Sequence, residues 1–242
     1  MKRAAALMAL IGAGPAQANI SVEPSARLSV WSSDRLNRAT DIVPSLDLWV
    51  RASTDISETV SVRIEGWAGL NPSGTGDPGG DVREAVIDVK VGAVRLTAGR
   101  QMFAWGRADR INPTDVISSR DQRRLVDEDE DNRRGLASVS LNVPLAAGTL
   151  GVHWLPEFRP TILPQVLPQQ GLVVTEIRPQ HSERGFAARY ERFGEKIDWS
   201  VTYSSAPGRT PLFGLSRSAT RPVLALRYPW LKMLGADLAT TI

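Results

Sequence analysis

The densest group of charged side chains lies in residues 107–131, where five arginines precede five consecutive acidic residues. If this segment folds into the lumen of a hollow protein, its basic and acidic residues would form two opposed rows. The rows would make a constriction whose transverse electric field orients polar or zwitterionic solutes. Folded outward, the carboxylates would offer oxygen ligands to divalent cations that bridge lipopolysaccharide. A solvated segment whose charges pair with one another is the third alternative. Of the two functional roles, the constriction is favoured. The residues are Arg107, Arg110, Arg120, Arg123 and Arg124, then Asp127, Glu128, Asp129, Glu130 and Asp131.

Three tryptophans form a second candidate group, because strand alternation places Trp31, Trp49 and Trp67 among the polar positions. In a channel, their flat apolar faces beside Arg51 and Arg63 would offer stacking surfaces to sugars or apolar solutes. The alternative is that they pack beneath a segment folded inward.

Enzymatic and cofactor chemistry has little support in the chain. The only two histidines are His153 and His181, there is no cysteine, and no spacing typical of a metal site occurs. We predict that both histidines are solvent-exposed, and we assign no catalytic residue, metal or cofactor. A formal charge of +3, two units of which come from Lys2 and Arg3, also gives no reason to expect a nucleic-acid partner.

Period-two alternation of apolar and polar residues recurs along the chain and predicts an all-β protein. In the clearest example, Ala85, Ile87 and Val89 share one face while Asp88 and Lys90 take the other. The predicted strands are 25–33, 43–53, 58–69, 82–92, 93–101, 135–143, 148–155, 184–193, 197–205, 219–228 and 233–242.

The connections between these strands alternate between long and short. The longest are 102–134 and the proline-rich 156–183, whereas Gly92-Ala93 and Gly194-Glu195 are bare turns. Short turns at one end and long loops at the other are typical of bacterial outer-membrane barrels. We therefore predict an antiparallel transmembrane β-barrel whose apolar face meets lipid and whose charged face lines the lumen. A soluble β protein with its charges in water is the alternative.

The first eighteen residues have the pattern of an export signal. Lys2 and Arg3 precede the apolar run 4–14, and Ala16-Gln17-Ala18 resembles a cleavage site. We predict that 1–18 is a cleaved signal peptide and that 19–242 is a barrel portion in the outer membrane of a Gram-negative bacterium. Eleven strands is an odd count, whereas single-chain bacterial barrels have even counts. The chain is therefore expected to be the incomplete N-terminal portion of a longer barrel. The alternatives are that one strand is miscounted or that several chains complete the barrel together.

Residues 99–115, GRQMFAWGRADRINPTD, resemble the G-R-Q-x-x-x-W-G-x-x-D-x-x-N-P-x-D stretch of a group of proteobacterial porin-like barrels. That group is mostly uncharacterised and is similar to the alginate-export type of barrel. The acids before Arg133-Arg134-Gly135 also resemble the group. The resemblance implies an outer-membrane location and a role in transport or export, but no particular substrate.

The sequence thus predicts a porin-like channel or export barrel, and no enzyme, that passes a polar or charged solute through a charged lumen. The expected partners are outer-membrane lipid and lipopolysaccharide, with periplasmic or inner-membrane export components as further candidates. The alternatives are a structural or adhesive surface barrel, a barrel hydrolase and a soluble periplasmic β protein.

Overall fold

The computed structural model describes residues 19–32, 42–71, 77–106, 112, 114–126, 128–164, 173–179, 182–217 and 221–240. The chain is all-β, and its largest element is a ten-stranded antiparallel sheet, here called the wall. The wall strands, in order across the sheet, are β1 (Ile20–Ser32), β2 (Ile42–Asp55), β3 (Val60–Leu70), β4 (Pro78–Val91), β5 (Val94–Gln101), β8 (Leu136–Leu145), β9 (Gly148–Leu155), β11 (Gly185–Arg192), β12 (Ile197–Pro207) and β15 (Trp230–Thr240).

Two smaller sheets lie within the long connections. A two-stranded sheet and a 3-10 helix belong to residues 102–135, here called the cover segment, and a three-stranded sheet, here called the small sheet, joins strands from two other connections. These elements are β6 (Ser119–Arg120), the 3-10 helix (Asp129–Asn132), β7 (Arg133–Arg134), β10 (Val173–Ile177), β13 (Leu212–Arg217) and β14 (Pro222–Arg227).

The all-β, antiparallel prediction is confirmed, but the prediction that 219–228 is a wall strand is wrong. Pro222–Arg227 instead forms the centre of the small sheet, parallel to β10 and antiparallel to β13. Alternation alone cannot distinguish a strand of the wall from a strand of the small sheet, because both alternate exposed and covered residues with a period of two. The wall therefore has ten strands rather than eleven, and the predicted connections 206–218 and 229–232 merge into one long connection, 208–229.

With that correction, the connections alternate in length without exception along the wall. The short ones are 56–59, 92–93, 146–147 and 193–196, and the long ones are 33–41, 71–77, 102–135, 156–184 and 208–229. Because successive wall strands are antiparallel, every long connection leaves the wall at one end and every short turn at the other. We call these ends the long-connection end and the short-turn end.

The wall strands are staggered in a regular way. A line of directly opposite residues that begins at Ile20 in β1 reaches Lys232 in β15. The midpoint of β1, Ala26, lies six residues from that line toward the long-connection end. The midpoint of β15, Gly235, lies three residues from it toward the short-turn end. The midpoints thus shift by nine residues over nine steps, or about one residue per strand. With about 3.3 Å per residue and about 4.8 Å between strands, the strands lean by about 35°.

The wall buries its polar face and exposes its apolar face, whereas a sheet in a soluble protein does the reverse. In β12, Ser200 and Thr202 are fully buried, whereas Val201 and Tyr203, which alternate with them, are each 41% exposed. In β2, Asp47 is buried and Leu48 is exposed. Polar side chains therefore occupy the covered face, and aliphatic and aromatic side chains occupy the open one.

A small apolar cluster lies between the covered face and the cover segment. It joins the corner that follows β5 to side chains of the wall, and its members are Phe103, Trp105, Ile117, Leu136, Leu155, Ala187 and Ala206. Among the described residues, β1 and β15 are edge strands that are not paired with each other.

Candidate functional site

The candidate site is the polar face of the first four wall strands, together with the part of the cover segment that lies on it. Arg124 occupies its centre. The Arg124 guanidinium carbon lies 3.6 Å from the ring centroid of Trp67, and Nη2 donates to Oδ2 of Asp47 at 3.1 Å. Arg124 also donates to the backbone oxygen of Asp131. A buried guanidinium stacked on an indole and bonded to a carboxylate holds the cover segment to the wall.

Trp49 lies beside Trp67, with the two ring centroids 6.1 Å apart, and both indoles are buried. Three guanidinium groups surround the Trp49 ring: those of Arg27, Arg83 and Arg124 lie 5.3, 4.9 and 5.2 Å from its centroid. Both tryptophans are therefore packed beneath the cover segment, which is the second of the two roles considered for them.

Arg83 enters this cluster because of an irregularity in the sheet. The register between β3 and β4 shifts between Glu65 and Gly66, so that Glu65 lies opposite Glu84 while Gly66 lies opposite Val82. Arg83 is the extra residue of this bulge, and it therefore shares the polar face with Glu84. Strict alternation places Arg83 on the apolar face, so the sequence pattern missed this residue.

The buried Arg83 side chain joins the wall to the cover segment through three directed contacts. Nη1 donates to Oε1 of Glu65 at 2.8 Å, Nη2 donates to the backbone oxygen of Glu130 at 2.6 Å, and Nε donates to that of Arg133 at 3.2 Å. Glu65 also accepts from Nη2 of Arg51 at 2.7 Å. The contacts of Arg83 with backbone oxygens fix the path of the chain through the acidic run.

Among the acids of the run whose side chains the structure describes, Asp131 contacts the wall through its carboxylate. It is buried, it accepts a hydrogen bond from Arg27, and its Oδ1 lies 3.9 Å from Nη1 of Arg83. A polar cavity of about 210 Å³ adjoins this group and is bounded by Arg27, Arg51, Arg83, Glu65 and Asp131. Cationic and anionic side chains thus meet around the same space.

Three arginines of the cover segment, Arg120, Arg123 and Arg133, pair with acids inside it, whereas Arg134 Nε lies 3.6 Å from Oδ2 of Asp81 in β4. Arg120 Nη2 lies 3.7 Å from Oδ2 of Asp115, and Arg123 makes two hydrogen bonds to Asp121 at 2.9 and 2.7 Å. Glu128 and Glu130 are exposed. The described charges are therefore interleaved as pairs rather than arranged in two opposed rows. Arg107, Arg110 and Asp127 lie outside the described residues, and Asp129 is described only as the start of the 3-10 helix.

Asp121 also lies where the cover segment meets the connection that follows β9. Gln122 N donates to the backbone oxygen of Ile162 at 2.9 Å, and Ile162 N donates to that of Arg120 at 2.8 Å. Burial acts to raise the pKa of Asp121, but the Arg123 guanidinium outweighs it, so this pKa lies below its ordinary value. The described part of the connection 156–184 is hydrogen-bonded to the cover segment and contributes β10 to the small sheet.

The prediction that His153 is exposed is wrong. Its ring is buried between Phe103 and Trp105, at centroid distances of 5.3 and 5.4 Å, and Nδ1 lies 2.8 Å from Oγ of Ser140. Ser140 in turn donates to Oε1 of Gln101 at 2.8 Å. Both partners of the Ser140–His153 pair are buried. The pair therefore positions the aromatic corner, which is the bend after β5 that contains Phe103, Trp105 and Gly106. His181 lies outside the described residues.

The corner itself needs glycine at position 106. The backbone of Gly106 has φ of +93°, and a Cβ there would overlap the side chain of Asn112. Trp31, the third tryptophan singled out, donates through Nε1 to Oγ of Ser45 at 3.2 Å, among the polar positions of the wall.

A further buried charge, besides Arg83, was not found from the sequence. Arg209, in the connection that follows β12, is 1% exposed, and its guanidinium carbon lies 5.3 Å from the ring centroid of Phe158. Burial lowers its pKa to about 10, so it remains protonated at neutral pH. In the described part of the chain, none of its side-chain nitrogens has a hydrogen-bond partner. No local pattern distinguishes Arg209 from an exposed loop arginine.

No protein-family model matches the chain, and no curated protein matches it. Within the described residues, no three histidine or acidic side chains are grouped in a way that holds a metal ion. None of the described helices has the length and apolar character needed to cross a bilayer.

Proposed function

We propose that the chain forms a porin-like wall in a bacterial outer membrane and that polar solutes pass along its charged face. The proposal is carried by the inverted distribution of side chains on the wall. Ile64, Leu141 and Val201 are exposed, whereas Glu65, Asp88 and Arg83 are buried on the other face. A soluble sheet buries its apolar face, but a wall between lipid and a polar lumen does the reverse.

Three further features of the wall support this proposal. Several wall strands have 10–14 residues, near the 9–11 or so that a tilted strand needs to cross a bilayer. The lean of about 35° lies in the range of transmembrane barrels. Exposed aromatic side chains occur toward both ends of the open face, with Trp154 and Phe186 near the long-connection end and Phe193 beyond the other end, as aromatic girdles do.

In this proposal, the cover segment narrows the lumen beside the polar cavity. Arg51 and Glu23 keep about two thirds of their side-chain surface exposed there, while Arg83 and Glu65 behind them are almost fully buried. The buried pair would hold the cover segment in place, and the accessible charges of both signs would meet the solute. Residues 99–115, which resemble the porin-like group, lead from the wall into this segment.

Among the described residues, β1 and β15 are the two edges of the wall, and this places one demand on the proposal. Hydrocarbon offers no hydrogen-bond partners to backbone N–H and C=O groups, so a wall in a membrane needs a partner strand at each edge. The proposed functional unit is therefore a closed barrel in which both edges are paired.

Ionic conductance tests the function directly. The protein, refolded in detergent and added to a planar bilayer, is expected to give stepwise current increases. Arg51→Gln removes an accessible cation and is expected to raise the cation-to-anion permeability ratio, whereas Glu23→Gln removes an accessible anion and is expected to lower it, with the steps retained in both variants. The matched control Arg178→Gln alters an exposed pair with Glu183 and is expected to leave the ratio unchanged. A membrane-inserted protein that produces no steps would exclude transport.

A second candidate, a barrel that serves as a structural or adhesive surface protein, is favoured by one observation. The cover segment lies over much of the described polar face of the first four wall strands, where most charges, such as Arg83, Glu65, Arg63 and Asp88, are already paired with one another. Insertion into the bilayer without conductance, with or without the cover segment cleaved, is the result expected for this candidate.

A further inference from the structure

Two cationic side chains lie directly opposite each other at the short-turn end of the β4–β5 hairpin. Lys90 in β4 is paired with Arg95 in β5, and the next pair on the same face joins Asp88 to Thr97. Asp88 and Thr97 are only 3% and 5% exposed, and Thr97 Oγ1 donates to Oδ1 of Asp88 at 2.6 Å. Lys90 and Arg95 therefore belong to the polar face of the wall, with their Cβ atoms about 5 Å apart. We call these two residues the cation pair.

The cation pair has no acidic side chain beside it that neutralises its charge. Both side chains are exposed, and in the part of the chain that the structure describes no carboxylate lies within 4 Å of either one. Asp88, two residues away on the same face, lies 3.1 Å from Nη2 of Arg63, and the exposed acids at the adjoining turn are Asp55 and Glu58. Like charges directly opposite each other destabilise a strand pair. The stability of the hairpin therefore does not account for this pairing.

An amide extends the same row of donor groups. Asn142 in β8 lies directly opposite Arg95 and is half-buried. Gly151 lies opposite Asn142 on the next strand, and a Cβ there would lie 3.0 Å from Oδ1 of Asn142, so the glycine leaves room for this side chain. Farther along the row, Arg189 is buried and its Nη1 lies 3.5 Å from Oδ2 of Asp237. The accessible part of the row therefore consists of the cation pair and Asn142.

These three side chains suit the oxygen atoms of an anionic group. The Lys90 ammonium has three N–H donors, the Arg95 guanidinium presents a planar fork to two oxygens, and the Asn142 amide adds a neutral donor. Neighbouring strands lie about 4.8 Å apart, so the three side chains can converge on one carboxylate or phosphate. An anion bound there would also offset the repulsion within the cation pair. We propose that the cation pair and Asn142 bind the carboxylate or phosphate group of a solute at the short-turn end of the lumen.

The inference rests on the proposed function, because it requires a lumen along the polar face. It adds the class of solute, which is anionic, and the end of the wall at which the solute is held. A cleft lined by charges of one sign concentrates solutes of the opposite sign.

The phosphate of an anionic lipid headgroup has the same chemistry, but lipid would meet the other face of the wall. Val91 and Leu96, which neighbour the cation pair in β4 and β5, are 66% and 40% exposed on the open face. A headgroup at this end of the wall would lie beside these two side chains. The cation pair, on the opposite face, is therefore assigned to a solute in the lumen.

Binding of inorganic phosphate tests the site without depending on transport. The protein is refolded in a non-ionic detergent, and the broadening of the phosphate signal in phosphorus NMR measures binding. Lys90→Gln/Arg95→Gln is expected to weaken phosphate binding by about tenfold or more, because two charge-assisted contacts are lost. Arg192→Gln is the matched control, since Arg192 is an exposed arginine near the same end of the wall but on the open face, and it is expected to change binding by less than about twofold.

Lys90→Glu distinguishes a loss of binding from a loss of folding. Opposite charges directly across a strand pair stabilise it, so this variant is expected to lose phosphate binding and to unfold at a higher urea concentration than the unmodified protein. Lys90→Arg keeps the charge and is expected to retain binding. Phosphate binding by Lys90→Gln/Arg95→Gln equal to that of the unmodified protein would overturn the inference, because the cation pair would then be solvated only.

Currents in planar bilayers identify the source of the anion and separate the two proposals. Phosphate is expected to reduce the chloride current, and Lys90→Gln/Arg95→Gln is expected to need about tenfold more phosphate for the same reduction, in phosphatidylcholine with or without phosphatidylglycerol. If phosphatidylglycerol abolishes this difference, headgroups occupy the cation pair and the inference fails. If steps occur but phosphate acts equally on both proteins, the anion site fails and transport stands. If the inserted protein gives no steps, transport fails, and phosphate binding in detergent decides the site.

Discussion

Replacing Arg83 with methionine tests whether the bulge in β4 holds the cover segment to the wall. Arg83 and Glu65 each keep only 5% of their side-chain surface exposed and are joined at 2.8 Å. The methionine preserves the aliphatic stem but leaves the backbone oxygens of Glu130 and Arg133 without these donors. Glu65 retains Arg51 at 2.7 Å.

The expected loss can be worked out from these contacts. Breaking a buried ion pair by removing one partner costs about 3–5 kcal/mol. The remaining Arg51–Glu65 pair reduces that cost, so we expect Arg83→Met to lower the free energy of unfolding by about 3 kcal/mol. Arg178→Met, which breaks the exposed pair with Glu183, is expected to change it by less than about 1 kcal/mol.

Urea-induced unfolding in lipid vesicles, followed by tryptophan fluorescence, measures both values. A double-mutant cycle with Glu65→Met isolates the interaction, and the double variant is expected to lose at least about 1 kcal/mol less than the sum of the single variants. Trypsin is expected to cleave the cover segment of Arg83→Met faster than that of the unmodified protein. A loss below about 1 kcal/mol with unchanged cleavage would refute the clamp.

Three further changes test the wall, the corner and the charged segment. Val201→Arg places a charge on the open face and is expected to cost about 2–4 kcal/mol of folding free energy in vesicles; an equal cost in water and in lipid would contradict a lipid contact. Gly106→Ala is expected to cost at least about 1 kcal/mol, because the left-handed backbone and the side chain of Asn112 both oppose a Cβ; an unchanged unfolding midpoint would exclude this packing. Since the pKa of Asp121 is lower in the folded state, its pairing with Arg123 stabilises the protein above about pH 4 and is lost as the pH falls through the folded pKa. Asp121→Asn should therefore reduce the acid sensitivity of urea unfolding between about pH 5 and pH 2, by less than about 1 kcal/mol because Arg123 is 41% exposed.

Much of the wall follows from the sequence, because period-two alternation and the lengths of connections are both local signals. Residues such as Ile87, Asp88 and Val201 occupy the faces that alternation predicts. The strand Pro222–Arg227 was assigned to the wrong sheet because local alternation does not identify partners: it pairs with β13, just before it in the chain, and with β10, which lies far away.

The candidate site was harder to predict, since it depends on contacts between distant segments. Sign-sorted charges drew attention to Arg124 and Asp131, which do meet the wall, but not to the pairing that brings them there. Arg83 was missed because one extra residue in a strand reverses the face of its neighbours. His153 was expected in water because nothing near it in sequence shows that Phe103 and Trp105 fold over it.

The strict separation of short and long connections has a consequence for how this chain tolerates change. The entropic cost of closing a flexible loop rises only with the logarithm of its length, so a connection roughly eight times longer than 56–59 costs about 2 kcal/mol more to close. Epitope tags or extra residues inserted at 33–41 or 71–77 should therefore be accommodated, whereas the two-residue turn at 92–93 fixes the register of its hairpin. Insertions and deletions among descendants of this sequence are expected to accumulate at the long-connection end of the wall only.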